Sequence, residues 1–220
     1  MRAVDGAIER VSISNSKLHL GVIGDVHPTG ICGSGLVDAV AELLRLGIVN
    51  SAGRLLPPDE LPANIPLNLR ERVFPDDEGG EFLLAGTEPG DADSVSLHAQ
   101  DIRQLQLAKA SIRAGVDVLL EQANLQPKDL SEVLLAGAFG TYLDPKALLA
   151  IGMVPPISEE IVEAVGNAAG LGARMLLLSL EYRVAAELLA GNAEYVELSA
   201  VQDFQWIFAR AMSFAESAKF

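Results

Sequence analysis

The sequence predicts an α/β fold: a mainly parallel sheet with helices packed on it, and an inserted loop-rich subdomain at about residues 50–98. Three observations carry this expectation. Short apolar runs alternate with long amphipathic ones, as where "VLLAGAFG" is followed by "DPKALLAIG". Half the residues are apolar but only 5% are aromatic, which suits a core of Leu, Ala and Val. Turn residues crowd into "PPDELP", "FPDDEGGE" and "GTEPGDADS", with brief strand-like runs such as "LRERVF" and "EFLLA" between them. A chain of 220 residues fits one large domain or two small lobes.

The elements follow in order. "AIERVSI" and "KLHLGVIG" alternate apolar and polar residues around "SNS", which reads as a hairpin. A helix from about Ser34 to Leu46 comes next, with Ser34 as its cap and Gly47 as its stop. "DDEGG" follows Pro75 and no buried strand, so it reads as a hairpin tip. The run from Ser96 to Leu125 is a long amphipathic helix whose apolar face is Ile102, Leu105, Ala108, Ile112, Val116, Leu119 and Ala123. "SEVLLAGAFG" reads as a buried strand ending in a small-residue turn. Asp144 and Pro145 then open a helix that Gly152 closes. "GNAAGLGARMLLLSLEYRVAAELLAG" reads as a second long helix, "AEYVEL" as a strand, and residues from about Ala200 to Ala215 as a last helix.

Composition excludes several functions. A net charge of −14 argues against nucleic acid and against anionic membrane surfaces. The most hydrophobic run carries Arg174, Glu181 and Arg183, which marks a buried helix and no membrane span. A single cysteine rules out an internal disulfide, and a cluster or zinc site held by this chain's cysteines alone. No leader segment opens the sequence, so a cytoplasmic location is expected. His19, His27 and His98 lack metal-site spacing.

Four features offer chemistry. "PTGICGSGLVDAVAELL" resembles a phosphate cradle, because its glycines open a helix N-terminus, but it lacks the Lys and hydroxyl pair of a P-loop. Cys32 within it reads as a small packed hydrophobe. The turn Ala136, Gly137, Ala138, Phe139, Gly140 follows a strand; it is either a ligand seat at a strand's carboxyl end or an ordinary tight turn. Gln106, Lys109 and Arg113 recur at helical spacing, as either a ribose or phosphate contact or a solvated face. Asp144 and Asn167 are each either a helix cap or a ligand contact.

Several stretches taken together add a family. "GICGSGLVDAVAELLRLGIVNSAGRL", "DIRQLQLAKASIRAGVDVLL" with "LLAGAFGTYLDPKALLAIGMVP", and "VGNAAGLGARMLLLS" with "VELSAVQDFQWIFARAMSF" resemble the C-terminal part of the reductive activators of corrinoid proteins. Those belong to the actin-like ATPase superfamily of sugar kinases, chaperone ATPases and actin. The resemblance implies an actin-like, ribonuclease H-like lobe. It implies a protein that uses ATP with Mg to return a corrinoid protein from Co(II) to Co(I). It places the adenosine turn on Gly137, Ala138, Phe139 and Gly140, with adenine and ribose contacts on Gln106, Lys109 and Arg113. The iron–sulfur cluster of such activators would lie in an N-terminal ferredoxin-like domain that this chain lacks, and the phosphate hairpins would precede it too. The chain is therefore expected to be a C-terminal fragment without catalytic residues of its own, inactive when isolated and open to forming a homodimer. Its expected partner is a corrinoid protein. The alternatives are a lobe of a sugar-kinase-like phosphotransferase and a non-catalytic docking module.

Overall fold

The computed structural model describes residues 1–214. Strands β1 (Ala7–Ser14) and β2 (Lys17–Val22) pair antiparallel through a two-residue turn. Asn15 and Ser16 both adopt positive φ there, as the twist of such a hairpin requires. A two-residue strand β3 (Gly30–Ile31) adds in parallel to the other side of β1, at Ala7 and Ile8. Helix α1 (Gly33–Leu46) lies on this sheet and buries Val37, Val40, Leu43 and Leu44. Gly35 sits against the Ile8 carbonyl, where a Cβ would collide with backbone. Gly35 of "GICGSGL" therefore serves close helix–strand packing. Cys32, not Ser34, is the N-cap residue, and no side chain caps this helix. Ser34, the second helical residue, is buried, its hydroxyl 3.4 Å from the Cys32 sulfur.

Residues 50–98 are less loop-like than their composition implies. Helix α2 (Leu67–Arg70) leads into an antiparallel sheet of β4 (Val73–Phe74), β5 (Glu81–Ala85) and β6 (Val95–His98), ordered β4-β5-β6. Its side chains Leu69, Val73, Phe82, Leu84 and Leu97 join Ile8, Val37, Val40 and Ile48 in one continuous core. The "DDEGG" stretch is a hairpin tip between β4 and β5, closed by Asp76, whose Oδ1 accepts the N–H groups of Glu78 and Gly80.

Helix α3 (Ala99–Gln122) keeps Ile102 and Leu105 in the core, but its buried stripe then departs from the expected one. Gln106, Lys109, Ala110, Ala114 and Val118 are buried, while Ile112 and Leu119 are 46% and 52% exposed. The reason is helix α8 (Phe204–Met212), which rests on the small residues Ala110 and Ala114 and turns that side of α3 inward. Strands β7 (Val133–Ala136) and β8 (Val162–Gly166) form a parallel pair. Between them lie α4 (Gly137–Thr141) and α5 (Pro145–Ala150), the latter packed against α1 through the core residues Leu148 and Ile151. β7 is not buried: Leu134 is half exposed.

The expected second long helix is two: α6 (Ala168–Leu178) and α7 (Leu180–Asn192). Ser179 breaks the run because its hydroxyl accepts the Tyr182 N–H and starts a new helix, while Arg183 covers the Leu176 carbonyl. "AEYVEL" is not a strand. The Glu197 carboxylate takes the Tyr195 and Ser199 hydroxyls and the Ser199 N–H, winding a short 3-10 turn at Leu198–Ala200. The last helix starts at Phe204, later than expected, and Ala215 lies outside the described residues. Strand pairing is mixed: β1–β2, β4–β5 and β5–β6 are antiparallel, while β1–β3 and β7–β8 are parallel. Among the described residues the strands form three small sheets in place of a mainly parallel one, because direct chain reversals pair β1 with β2, β4 with β5 and β5 with β6 antiparallel.

One buried charge marks the seam between α1 and β1. Asp38 is 6% exposed, and its Oδ2 accepts the Val11 N–H at 3.3 Å, further along β1 than β3 reaches. Its Oδ1 has no partner among the described residues. Burial raises its pKa from 3.8 to about 6; the Val11 N–H and the Arg10 charge oppose the rise, and Asp144 and Glu42 add to it. The folded state thus binds this proton more tightly than the unfolded chain, so ionisation removes stability as pH climbs from about 4 to above 6. Asp38→Asn should abolish that component. Urea titrations from pH 4 to 7.5 should show the variant gaining on the parent with rising pH, by on the order of 2 kcal/mol. A constant difference across the range would contradict the burial argument.

Candidate functional site

The candidate site lies at the carboxyl ends of β7 and β8, the end at which open parallel sheets commonly present ligands. The register sets Ala136 opposite Gly166, so Gly137 and Gly166 emerge at the same end of the ribbon. Both have positive φ, +89° and +65°. A Cβ at either would meet nothing within 4 Å, so open space lies over both backbones. Each strand runs directly into a helix: α4 begins at Gly137, and α6 is capped by Asn167, whose Oδ1 accepts the Gly170 N–H. Asn167 is thus a helix cap here.

The turn is rigid on its inner side. Gly140 is buried, and a Cβ there would stand 3.1 Å from the backbone and side chain of Leu135. The Thr141 hydroxyl donates to the Gly137 carbonyl at 2.8 Å. Ala138 and Phe139 lie in α4, and their side chains are outside the described residues. Asp144 caps α5, its Oδ1 accepting the Lys146 N–H at 2.9 Å. Asp144 also raises the Asp38 pKa, which ties this end of the site to the α1 seam.

The structure does not bring Gln106 and Lys109 to this turn. Neither forms part of a solvated face: they are 7% and 1% exposed. Gln106 Nε2 donates to the carbonyls of Ala52 and Met212, both at 3.1 Å. Lys109 Nζ donates to the Ser213 carbonyl and lies 5.3 Å from the centre of the Phe214 ring. Burial, and then the Arg113 charge, draw the Lys109 pKa from 10.5 down to about 8. Arg113 donates to Asp117 Oδ1 at 2.8 Å and to the Val154 carbonyl at 3.1 Å. In this structure the polar groups of Gln106, Lys109 and Arg113 bond to protein, which gives the helical triad a structural part of its own. Gly166 is the residue that sequence reasoning missed. Its signal was present in "AVGNAAG", a second strand-to-glycine-to-helix junction.

A family model described as the C-terminal domain of RACo, the ASKHA domain, matches residues 1–219. The chain belongs to this family. The ASKHA domain is 37% identical over 199 residues to the corrinoid activation enzyme RamQ of Eubacterium limosum, covering 90% of this chain and 33% of that protein. It is 25% identical over 149 residues to a reductase of the Co(II) methylated amine-specific corrinoid protein of Methanosarcina barkeri, covering 68% and 22%. Among solved structures, a reductive activator for corrinoid, iron–sulfur protein superposes with a TM-score of 0.80 at 36% identity, over 98% of this chain and 33% of that one. The chain thus spans a third or less of the length of these relatives. The actin-like α/β architecture expected from the sequence is that of the ASKHA domain. No helix among the described residues is long and apolar enough to cross a membrane.

The packing around Gly140 gives a direct check. Gly140→Ala should destabilise the domain by about 1–2 kcal/mol, because its methyl group meets the Leu135 backbone. Gly172→Ala, in α6 with nothing within 4 Å, should instead gain about 0.5–1 kcal/mol. Denaturant unfolding of the two variants reads the contrast, and equal effects would refute the tight inner side of the turn.

Proposed function

We propose that this chain is the adenosine-binding lobe of an ATP-dependent reductive activator that returns a corrinoid protein from Co(II) to Co(I), a one-electron reduction of the partner's cobalt. The observation that carries the reading is the pair Gly137 and Gly166, side by side and open, at the strand ends of an ASKHA domain. The names of its relatives supply the corrinoid partner. ATP is the substrate of this site. Its adenosine would rest on the backbone of Gly137–Gly140, with Gly166 and Asn167 on the opposite side.

The division of labour follows from what the residues fit. The backbones at residues 137 and 166 are open to a ligand, since a Cβ at either would meet nothing within 4 Å, and an adenosine would lie against them there. Phosphoryl transfer rests on positioning and on electrostatic stabilisation of phosphates and Mg. Here we assign both to the rest of the protein, since this chain is a third of its relatives' length. An iron–sulfur cluster does not fit this chain: it needs several thiolates, and the one cysteine, Cys32, is 3% exposed at the N-cap of α1. The lobe accordingly seats the nucleotide without cleaving it.

Calorimetric titration tests this. The isolated chain should bind ATP or ADP with a Kd weaker than about 10 μM, since only part of the cleft is present. Gly137→Val should abolish that binding while circular dichroism stays unchanged, because a branched side chain at φ +89° fills the cradle. Unchanged affinity in a folded Gly137→Val variant would overturn the adenosine-turn assignment.

A further inference from the structure

Helix α8 is attached to the molecule by two unequal means. Its apolar face meets α3 through a satellite cluster of Ala110, Ala114 and Ala211, with Phe204, Ile207, Phe208 and Met212 around it. That cluster is separate from the main core: its fully buried members are the three alanines, and the larger side chains of α8 are only partly buried. Trp206, the largest side chain of α8, is 76% exposed. The second attachment follows the helix. The chain extends at Ser213, and Phe214 enters the main core, 3% exposed.

The short segment after α8 is held on three sides. The Phe214 N–H donates to the Ser51 carbonyl at 2.9 Å. Gln106 Nε2 bridges the carbonyls of Met212 and Ala52. Lys109 donates to the Ser213 carbonyl and stands over the Phe214 ring. Gly53, in the same turn as Ser51, lies so close to the Gln106 amide that a Cβ would displace it. The segment thus covers an ammonium and an amide that are otherwise costly to bury.

We propose that Met212–Phe214 is a strap anchored by Phe214, that its release undocks α8 from α3 as a unit while the main core stays folded, and that release uncovers Gln106 and Lys109. The geometry supports a hinged element: one anchor in the main core, a separate and partly exposed apolar contact behind it, and hydrogen bonds to carbonyls at the strap itself. Local opening of this kind draws on regions with few buried apolar contacts. The strap decides whether the polar face of α3 meets protein or solvent.

Native-state hydrogen exchange in low urea, on the unmodified protein, tests the unit directly. Amides of residues 205–212 should exchange at lower urea than those of α1, at residues 33–46. Simultaneous opening of both would overturn the proposal. Phe214→Ala should raise exchange in α8 at least ten-fold with α1 within two-fold, and Phe214→Leu should restore most of the protection. An amine-acylating reagent read by peptide mass spectrometry adds a second observable. Lys109 should be unreactive in the parent and labelled in Phe214→Ala; an unlabelled Lys109 alongside a freely exchanging α8 would refute the covering role.

Discussion

The contact between Gly35 and the Ile8 carbonyl is the constraint from which the rest of the lobe follows. A helix can lie this close to a strand only where a side chain is missing. Once α1 is seated on β1, its apolar face collects the second sheet, the start of α3 and helix α5 into one core. Through α5 the same contact fixes where Asp144 stands, and thus where the chain leaves the turn at Gly137. Asp38 completes the seam at an energetic cost: its carboxylate serves the Val11 N–H with one oxygen and leaves the other without a partner among the described residues.

The two halves of the domain differ in how they are supported. Residues 8–105 share one core with α5, Met153, Val154 and Phe214. The ribbon of β7 and β8, with α6 and α7 beyond it, leaves Leu134, Leu177, Leu178, Leu180 and Leu189 exposed. A site built on that ribbon has a firm inner wall, at Gly140 and Leu135, and an open outer one, over Gly137 and Gly166. That asymmetry fits a lobe that presents a nucleotide seat and leaves the phosphates to others.

Legibility in the sequence followed the range of the interactions. The β1–β2 hairpin, α1, the Asp144 cap and the Gly137 turn are set by near neighbours, and spacing or residue type revealed each of them. The buried face of α3 was not legible, because Ala110 and Ala114 become core only when α8, about ninety residues downstream, lies on them. The surroundings of Gln106 and Lys109 were not legible for the same reason: their partners, Ala52 and Met212–Phe214, lie far off in sequence. The break at Ser179 was readable in principle, since a serine amid leucines can cap a helix. Family resemblance found the domain correctly, yet it could not say which polar atoms this chain keeps for itself.

The seat of the nucleotide is the central claim, and amide chemical shifts test it most directly. In a 15N-labelled sample titrated with ADP, the amides of Gly137, Gly140 and Gly166 should move together, while those of Gly33 and Gly35 stay in place. Movement confined to Gly33 and Gly35 would return the phosphate cradle to the start of α1 and contradict the account.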